Sequence, residues 1–400
     1  MSRMHRLQSI IGLIILLSPA MASADVACWG RNNHGQCDVP EDIPPVQAVA
    51  AGGYHTATLL GDGRVTCWGY NSQQQCDVPP TLGGVVDIAC GSRHTMALKA
   101  TGAVICWGWN TDGQCDVPGS LGDVIGISGG ERHSIALLDD GSVACWGSNV
   151  YGQSNPPALA TAVHISAGNN HSLALLGDGT VVAWGRNDMG QCDIPADIGI
   201  VVDLAAGGDH SLALLDDGSV VAWGRNNQGQ CDVPADLGSA TVVAAGLLHS
   251  LVLQSDGNIA CWGSEEYGLS QPPISIHGVL DLDAGFYHST LLSPSTGACC
   301  FGENCSQVIE EDCVGSEDTI WLGEGSDCES CTSSIGACCV GTGCSQLSEI
   351  TCDELGGTWT AGGSCEDCEP SCMADVNGDA VVDVLDLIEV IGAWGACSSK

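Results

Sequence analysis

A Trp-Gly pair recurs at Trp29, Trp68, Trp107, Trp146, Trp184, Trp223 and Trp262, and a His opens an apolar run at His55, His94, His133, His171, His210, His249 and His288. Both series advance by 39 residues, with a single step of 38. A period near 40 marks a small supersecondary unit that buries its apolar surface only against its neighbours. In residues 200–239 the runs VVDLAA and HSLALL are short and β-rich, Asp217-Gly218 signals a hairpin turn, and SVVAW returns as a third strand. A short fourth strand is expected around Cys231-Asp232-Val233. No window carries a helical period, so the array reads as all-β, a seven-bladed β-propeller over residues 25–293.

The ends of the array imply closure. The first copy starts with only a last strand, residues 26–30, and the last copy stops after residues 288–292 with no returning strand. Each end supplies what the other lacks, so pairing them completes a seventh blade and leaves no open sheet edge.

At the Trp-Gly repeats the motif W-G-x-N-x-x-G-Q, as in Trp223 to Gln230, is joined to G-x-x-H-S, as in Gly207 to Ser211. This combination resembles the regulator of chromosome condensation repeat family over roughly residues 26–293. The resemblance implies the seven-bladed fold and little about activity, because its relatives include nucleotide exchangers, ligase modules and secreted inhibitors.

Residues 1–24 read as a secretory signal, with Arg3 and Arg6 before the apolar run 10–17 and Ala22-Ser23-Ala24 as the cleavage motif. The apolar run is too short for a membrane anchor. The mature chain is therefore expected to be secreted or at the cell surface, with no membrane span. Removing the signal leaves 8 basic against 48 acidic residues, a net charge of about −40 that repels phosphate backbones, so no nucleic acid partner is expected.

Twenty-five cysteines in an exported chain point to disulfides before metal. In the repeats one Cys precedes Trp-Gly and another follows Gln, and pairing each second Cys with the first Cys of the next copy leaves the fewest orphans. The expected bridges are Cys37–Cys67, Cys76–Cys106, Cys115–Cys145 and Cys231–Cys261, each worth roughly 2–4 kcal/mol by loop closure. Cys28, Cys90 and Cys192 stay unassigned. Six further cysteines each, in residues 297–331 and 336–370, define two small disulfide-rich modules in which cross-links replace a core.

Residues 371–400 form the last unit. Asp375, Asn377, Asp379, Asp383 and Asp386 occupy positions 1, 3, 5, 9 and 12 of a twelve-residue loop, with the Val381 carbonyl at position 7, the oxygen spacing that wraps Ca²⁺. The loop and the apolar helix after it resemble one half of a dockerin, which implies a cohesin-like partner. A dockerin carries two such segments, whereas this chain has one, with Ala380 in place of the usual Gly at position 6. Cys372 and Cys397 flank the unit and are expected to bridge it.

The repeated Trp and His are packing and hydrogen-bonding devices rather than seven active sites, and the Asp139-Asp140 and Asp216-Asp217 pairs are turn residues rather than catalytic dyads. Binding is sought instead where copies differ. The residue before each His and the residue after each Trp-Gly emerge on one face, and these positions hold Arg31, Tyr54, Tyr70, Arg93, Trp109, Arg132, Arg186, Arg225 and Tyr287. Planar cations mixed with rings suit a recognition surface. The bland alternative is that the arginines neutralise neighbouring carboxylates. The sequence thus reads as a non-enzymatic recognition or scaffold protein for an extracellular protein or glycan. The alternatives are a subunit of a polysaccharide-degrading assembly and an inhibitor of a secreted enzyme.

Overall fold

The computed structural model describes residues 24–273 and 278–294, together with six strands between residues 297 and 361. It divides into two units, residues 1–294 and 295–400.

The first unit holds seven three-stranded antiparallel sheets. Strand β1 (Ala24–Gly30) is followed by β2 (Val46–Ala51), β3 (His55–Leu60) and β4 (Val65–Gly69), and β2, β3 and β4 make one sheet. Five more sheets repeat that trio in order. The seventh joins the strands Asp281–Ala284 and His288–Pro294 to β1, with Ala27 opposite Leu291 and Gly30 opposite His288. The middle strand of each sheet packs on the first strand of the next, and His288–Pro294 packs on β2, so the succession returns to its start.

The middle strands read as unbroken apolar or small runs because both of their faces are covered: all six residues of β3 are buried. The cores lie in the seams between sheets. Leu59 and Ala57 of one sheet, for example, meet Val85, Ile88 and Trp107 of the next. Hairpin turns carry the Asp-Gly pairs: Asp217 Oδ1 accepts the Ser219 amide and hydroxyl while Gly218 adopts a left-handed φ of 86°. Asp140 plays the same part with Ser142.

The repeated polar residues lock sheet to sheet. Each His Nε2 reaches a Ser or Thr hydroxyl of the next sheet, at 2.9–3.1 Å, in the order His55–Thr95, His94–Ser134, His133–Ser172, His171–Ser211, His210–Ser250, His249–Ser289 and His288–Thr56. The Thr56, Thr95, Ser134, Ser172, Ser211 and Ser250 hydroxyls donate onward to Gln backbone carbonyls. A hydroxyl that donates there must accept from the imidazole, which fixes neutral, Nε2-protonated rings. Burial pulls the imidazole pKa down to about 3 at His55, His133, His171, His210 and His249 and to about 4 at His94 and His288. Six of the seven repeat Trp indoles also donate to a carbonyl, five of them to the Gln carbonyl of the preceding copy, as Trp68 does to Gln36.

Two expectations are corrected. No fourth strand forms around Cys231-Asp232-Val233. Asn226 Oδ1 takes the Cys231 amide at 2.8 Å and Asn226 Nδ2 clasps Asp232 at 2.7 Å, curling the backbone away from any ladder. The disulfides also run within a copy rather than between copies: Cys28–Cys37, Cys67–Cys76 and Cys106–Cys115, with Cα atoms 4.9–5.1 Å apart. The expected Cys37–Cys67, Cys76–Cys106, Cys115–Cys145 and Cys231–Cys261 bridges do not form, and Cys145, Cys231 and Cys261 are free thiols. The reason is the same Asn clasp, which folds the second Cys back over the strand that carries the first. Four copies are therefore half-occupied. At Ser154 the hydroxyl bonds to the Ser148 carbonyl, and at Cys192 and Cys231 the thiol bonds to the Arg186 and Arg225 carbonyls, so the position is satisfied without a bridge.

In the second unit the strands Gly297–Phe301, Asn304–Val308 and Thr319–Glu324 form one antiparallel sheet, and Ile335–Val340, Gly343–Ser348 and Thr358–Ala361 form another. These two sheets fall in the two cysteine-rich segments. The signal segment before Ala24, the calcium loop residues Asp375, Asn377, Asp379, Val381, Asp383 and Asp386, and Cys372 and Cys397 lie outside the described residues.

Candidate functional site

The alternation between middle and third strands delivers the variable residues in bonded pairs. The amide after each Trp-Gly donates to the carbonyl before each His: Arg31 to Tyr287, Tyr70 to Tyr54, Trp109 to Arg93, Arg186 to Asn170 and Arg225 to Asp209, at 2.7–2.9 Å. All nine residues named from the sequence therefore stand at one end of the sheets, on loops anchored by buried strands.

Their side chains separate into two groups. Along the first, Arg31 lies 5.0–5.7 Å from the ring centres of Tyr54, Tyr267 and Tyr287. Tyr54 continues to Tyr70, 6.2 Å away, with the exposed His34 against both rings. Arg93 then stacks on Tyr70 and Trp109, and Arg132 closes on Trp109 at 4.8 Å. This is a continuous arc spanning the seventh, first, second and third sheets. Tyr267 reaches it with a left-handed φ of 60°, a backbone cost of about 1 kcal/mol or more for a non-Gly residue.

On the opposite side the bland alternative holds. Asp209 receives Arg186 at 3.4 Å and Arg225 at 3.3 Å, and Arg186 also pairs with Asp188 at 2.6 Å. Arg132 at the end of the arc is shared between Asp112 and Glu131. Arg31 and Arg93 have no carboxylate within 4.0 Å among the described residues.

The three disulfides fall under the arc and nowhere else among the repeats. Cys28–Cys37 closes the loop carrying Arg31 and His34, Cys67–Cys76 the loop carrying Tyr70, and Cys106–Cys115 the loop carrying Trp109. The ion-paired Arg186 and Arg225 sit on unbridged loops. Cross-linking a short loop narrows the states it visits, which preorganises whatever it presents.

Sequence reasoning missed His34, Tyr151, Tyr267 and Phe286. The signal was available: the fifth residue after each Trp runs His34, Gln73, Asp112, Tyr151, Met189, Gln228, Tyr267, a third variable column, and Phe286 heads a fourth, two residues before His288. The axial channel, lined by Gly52, Gly91, Gly130, Ser92, Leu247 and Phe286, holds about 60 Å³, room for water and not for a sugar or nucleotide. Among the described residues no cluster of three or more His, Cys, Asp or Glu is placed to hold a metal ion.

A model of the regulator of chromosome condensation (RCC1) repeat matches residues 46–75, 85–114, 124–153, 162–191, 201–230 and 241–269. The chain belongs to the RCC1-repeat family. Several solved structures resemble it in fold. Prp20p from Saccharomyces cerevisiae is 19% identical over 74% of this chain and 94% of its own, with a TM-score of 0.61. Human WBSCR16 is 17% identical over 68% and 99%, with a TM-score of 0.57. The ectodomain of the Arabidopsis thaliana receptor kinase ACR4 is 24% identical over 60% and 89%, with a TM-score of 0.50. No curated protein sequence matches the chain. The repeats supply the frame on which the arc is mounted.

Proposed function

We propose that this RCC1-repeat protein is a secreted recognition module that binds an extracellular protein or glycan through the arc from Tyr267 to Arg132. The observation that carries this reading is a coincidence on one side of the ring: Arg31 and Arg93 lie over a run of rings and without carboxylates, on or beside loops closed by disulfides. Arg186, by contrast, also lies over a ring, that of Tyr151, but is ion-paired and on an unbridged loop. Packing does not demand such a coincidence, since the unbridged copies have the same sheets. Export is supported by the signal-like residues 1–24 and the 25 cysteines, and the likeness to a receptor ectodomain agrees with it.

The test displays the full chain against a glycan array and a panel of purified extracellular proteins. Tyr54→Ala and Trp109→Ala are expected to abolish binding to whatever scores, while Arg186→Ala leaves it unchanged. Retention in the first two and loss in the third moves recognition to the other side.

We also propose that residues 371–400 hold one Ca²⁺ through Asp375, Asn377, Asp379, Asp383, Asp386 and the Val381 carbonyl, with the Cys372–Cys397 bridge supporting the loop. A cohesin-like partner would dock there. Calorimetric titration of the chelator-treated full chain is expected to show one calcium site, lost in Asp375→Asn. An absence of binding heat rejects it.

A further inference from the structure

The arc leaves a specific vacancy in charge. With 48 acidic against 10 basic residues, a cation on this chain finds carboxylates in easy supply, and Arg64, Arg132, Arg186 and Arg225 each take one or more. Arg31 and Arg93 face rings instead. A guanidinium held over rings rather than against a carboxylate keeps its N–H groups unspent, the groups that grip a carboxylate by two parallel hydrogen bonds. Contact with Tyr267, Tyr287 and Tyr54, or with Trp109 and Tyr70, removes rotamer freedom beforehand, so less is lost when the anion arrives.

Between the two guanidiniums lie Tyr54 and Tyr70, half-buried, with His34 over both. The side chains that touch one another along this stretch are rings, guanidiniums and an imidazole, with exposed amide, hydroxyl and carboxylate side chains such as Asn33, Ser72 and Glu266 beside them. The exposed Val150 and Met189 belong to the loops beyond the arc. Protein interfaces draw their dry centre from aromatic, Met and aliphatic side chains together. A contact line of rings and cations with polar neighbours and no exposed aliphatic side chain suits a ligand that is itself polar all over, yet offers flat C–H faces to set against the rings.

We infer that the arc binds a uronate-containing polysaccharide, with pyranose faces on Tyr54 and Tyr70 and sugar carboxylates on Arg31 and Arg93. This inference rests on the arc being the recognition surface, and it adds the class of ligand.

The experiment is calorimetric titration of the full chain with a galacturonate hexasaccharide, its fully methyl-esterified form and a hexaglutamate peptide. The acid form is expected to bind at least tenfold tighter than the ester. Arg31→Gln and Arg93→Gln each lose tenfold or more, Arg225→Gln loses none, and Tyr54→Ala weakens acid and ester alike. Thermal melting of each variant verifies that the ring is intact, and where Arg31→Gln fails to fold, Arg31→Lys replaces it, keeping charge but losing the two-pronged grip. Equal binding of acid and ester overturns the carboxylate assignment while leaving the arc as a glycan surface. Tighter binding of the peptide overturns the ligand class. Absence of binding by all three overturns the inference, and the array above then decides whether the arc binds anything else.

Discussion

His288 Nε2 lies 3.1 Å from Thr56 Oγ1, although the two residues are 232 apart in the chain. It is the last link of a closed circuit of histidine-hydroxyl bonds, and Thr56 passes the circuit on to the Gln36 carbonyl at 2.8 Å. Thr56→Val removes both bonds at constant shape and strands the buried His288 Nε2–H, while Trp68 still donates to the Gln36 carbonyl, at a cost of about 2–3 kcal/mol. Thr56→Ser keeps both and is expected to cost under about 1.5 kcal/mol. Urea unfolding of the two variants separates these outcomes.

Stability should fall steeply in acid. Each ring histidine is neutral and buried, with its folded pKa below the ordinary value near 6.5, so the unfolded chain takes up the protons. The contribution is complete above about pH 6.5 and is lost as pH falls towards the folded values of about 3 to 4. Between pH 7 and 5 the loss is about 2 kcal/mol per imidazole, of order 10 kcal/mol for seven. The turn carboxylates of Asp140 and Asp217, held below the usual range by Ser142 and Ser219, act in the same direction at lower pH. Melting temperature against pH is expected to drop sharply below pH 6, and a flat profile from pH 7 to 5 contradicts it.

The half-occupied cysteine sites should accept a partner. Ala183 and Cys192, and Ala222 and Cys231, occupy the repeat positions that Cys67 and Cys76 fill in a bridged copy. Ala183→Cys or Ala222→Cys is expected to form a nine-residue-spaced disulfide and stabilise by about 2–3 kcal/mol on loop-closure grounds. Thiol counting before and after, with the melting temperature, checks it. The thiols survive unpaired because burial raises their pKa to about 11, which keeps them un-ionised and slow to react.

Two glycines should respond oppositely to alanine. A Cβ at Gly91 would collide with the His94 ring and the Gly130 carbonyl, so Gly91→Ala is expected to destabilise by about 3 kcal/mol or more. At Gly83 nothing lies within 4 Å, and Gly83→Ala is expected to be neutral or to stabilise by up to about 1 kcal/mol. Denaturant midpoints of the two variants make the comparison.

The fold was legible because it is repetitive: the Trp and His columns define the unit, and Ala27 opposite Leu291 realises the complementarity of the two ends. The disulfides were not, because minimising unpaired cysteines assumes that every one pairs, whereas Asn32, Asn71 and Asn110 each fold a Cys back onto its own copy and leave other copies with a bare thiol. The rim was found as positions but not as groups. Nothing in the residue before His210 announces that Asp209 takes two arginines, while Tyr54 in the same column faces Arg31. Sign and ring at one register decide the neighbour's role, and that is a matter of pairs across sheets rather than of spacing along the chain.

Strand β1 is made first and used last. As the chain leaves the ribosome, each inner sheet can form from a contiguous stretch of hairpins, but Ala24–Gly30 must wait for His288–Pro294. Until then the nascent protein is an open spiral with two bare ends, and a message truncated anywhere before His288 yields a product that cannot shut and is exposed to edge-to-edge clumping.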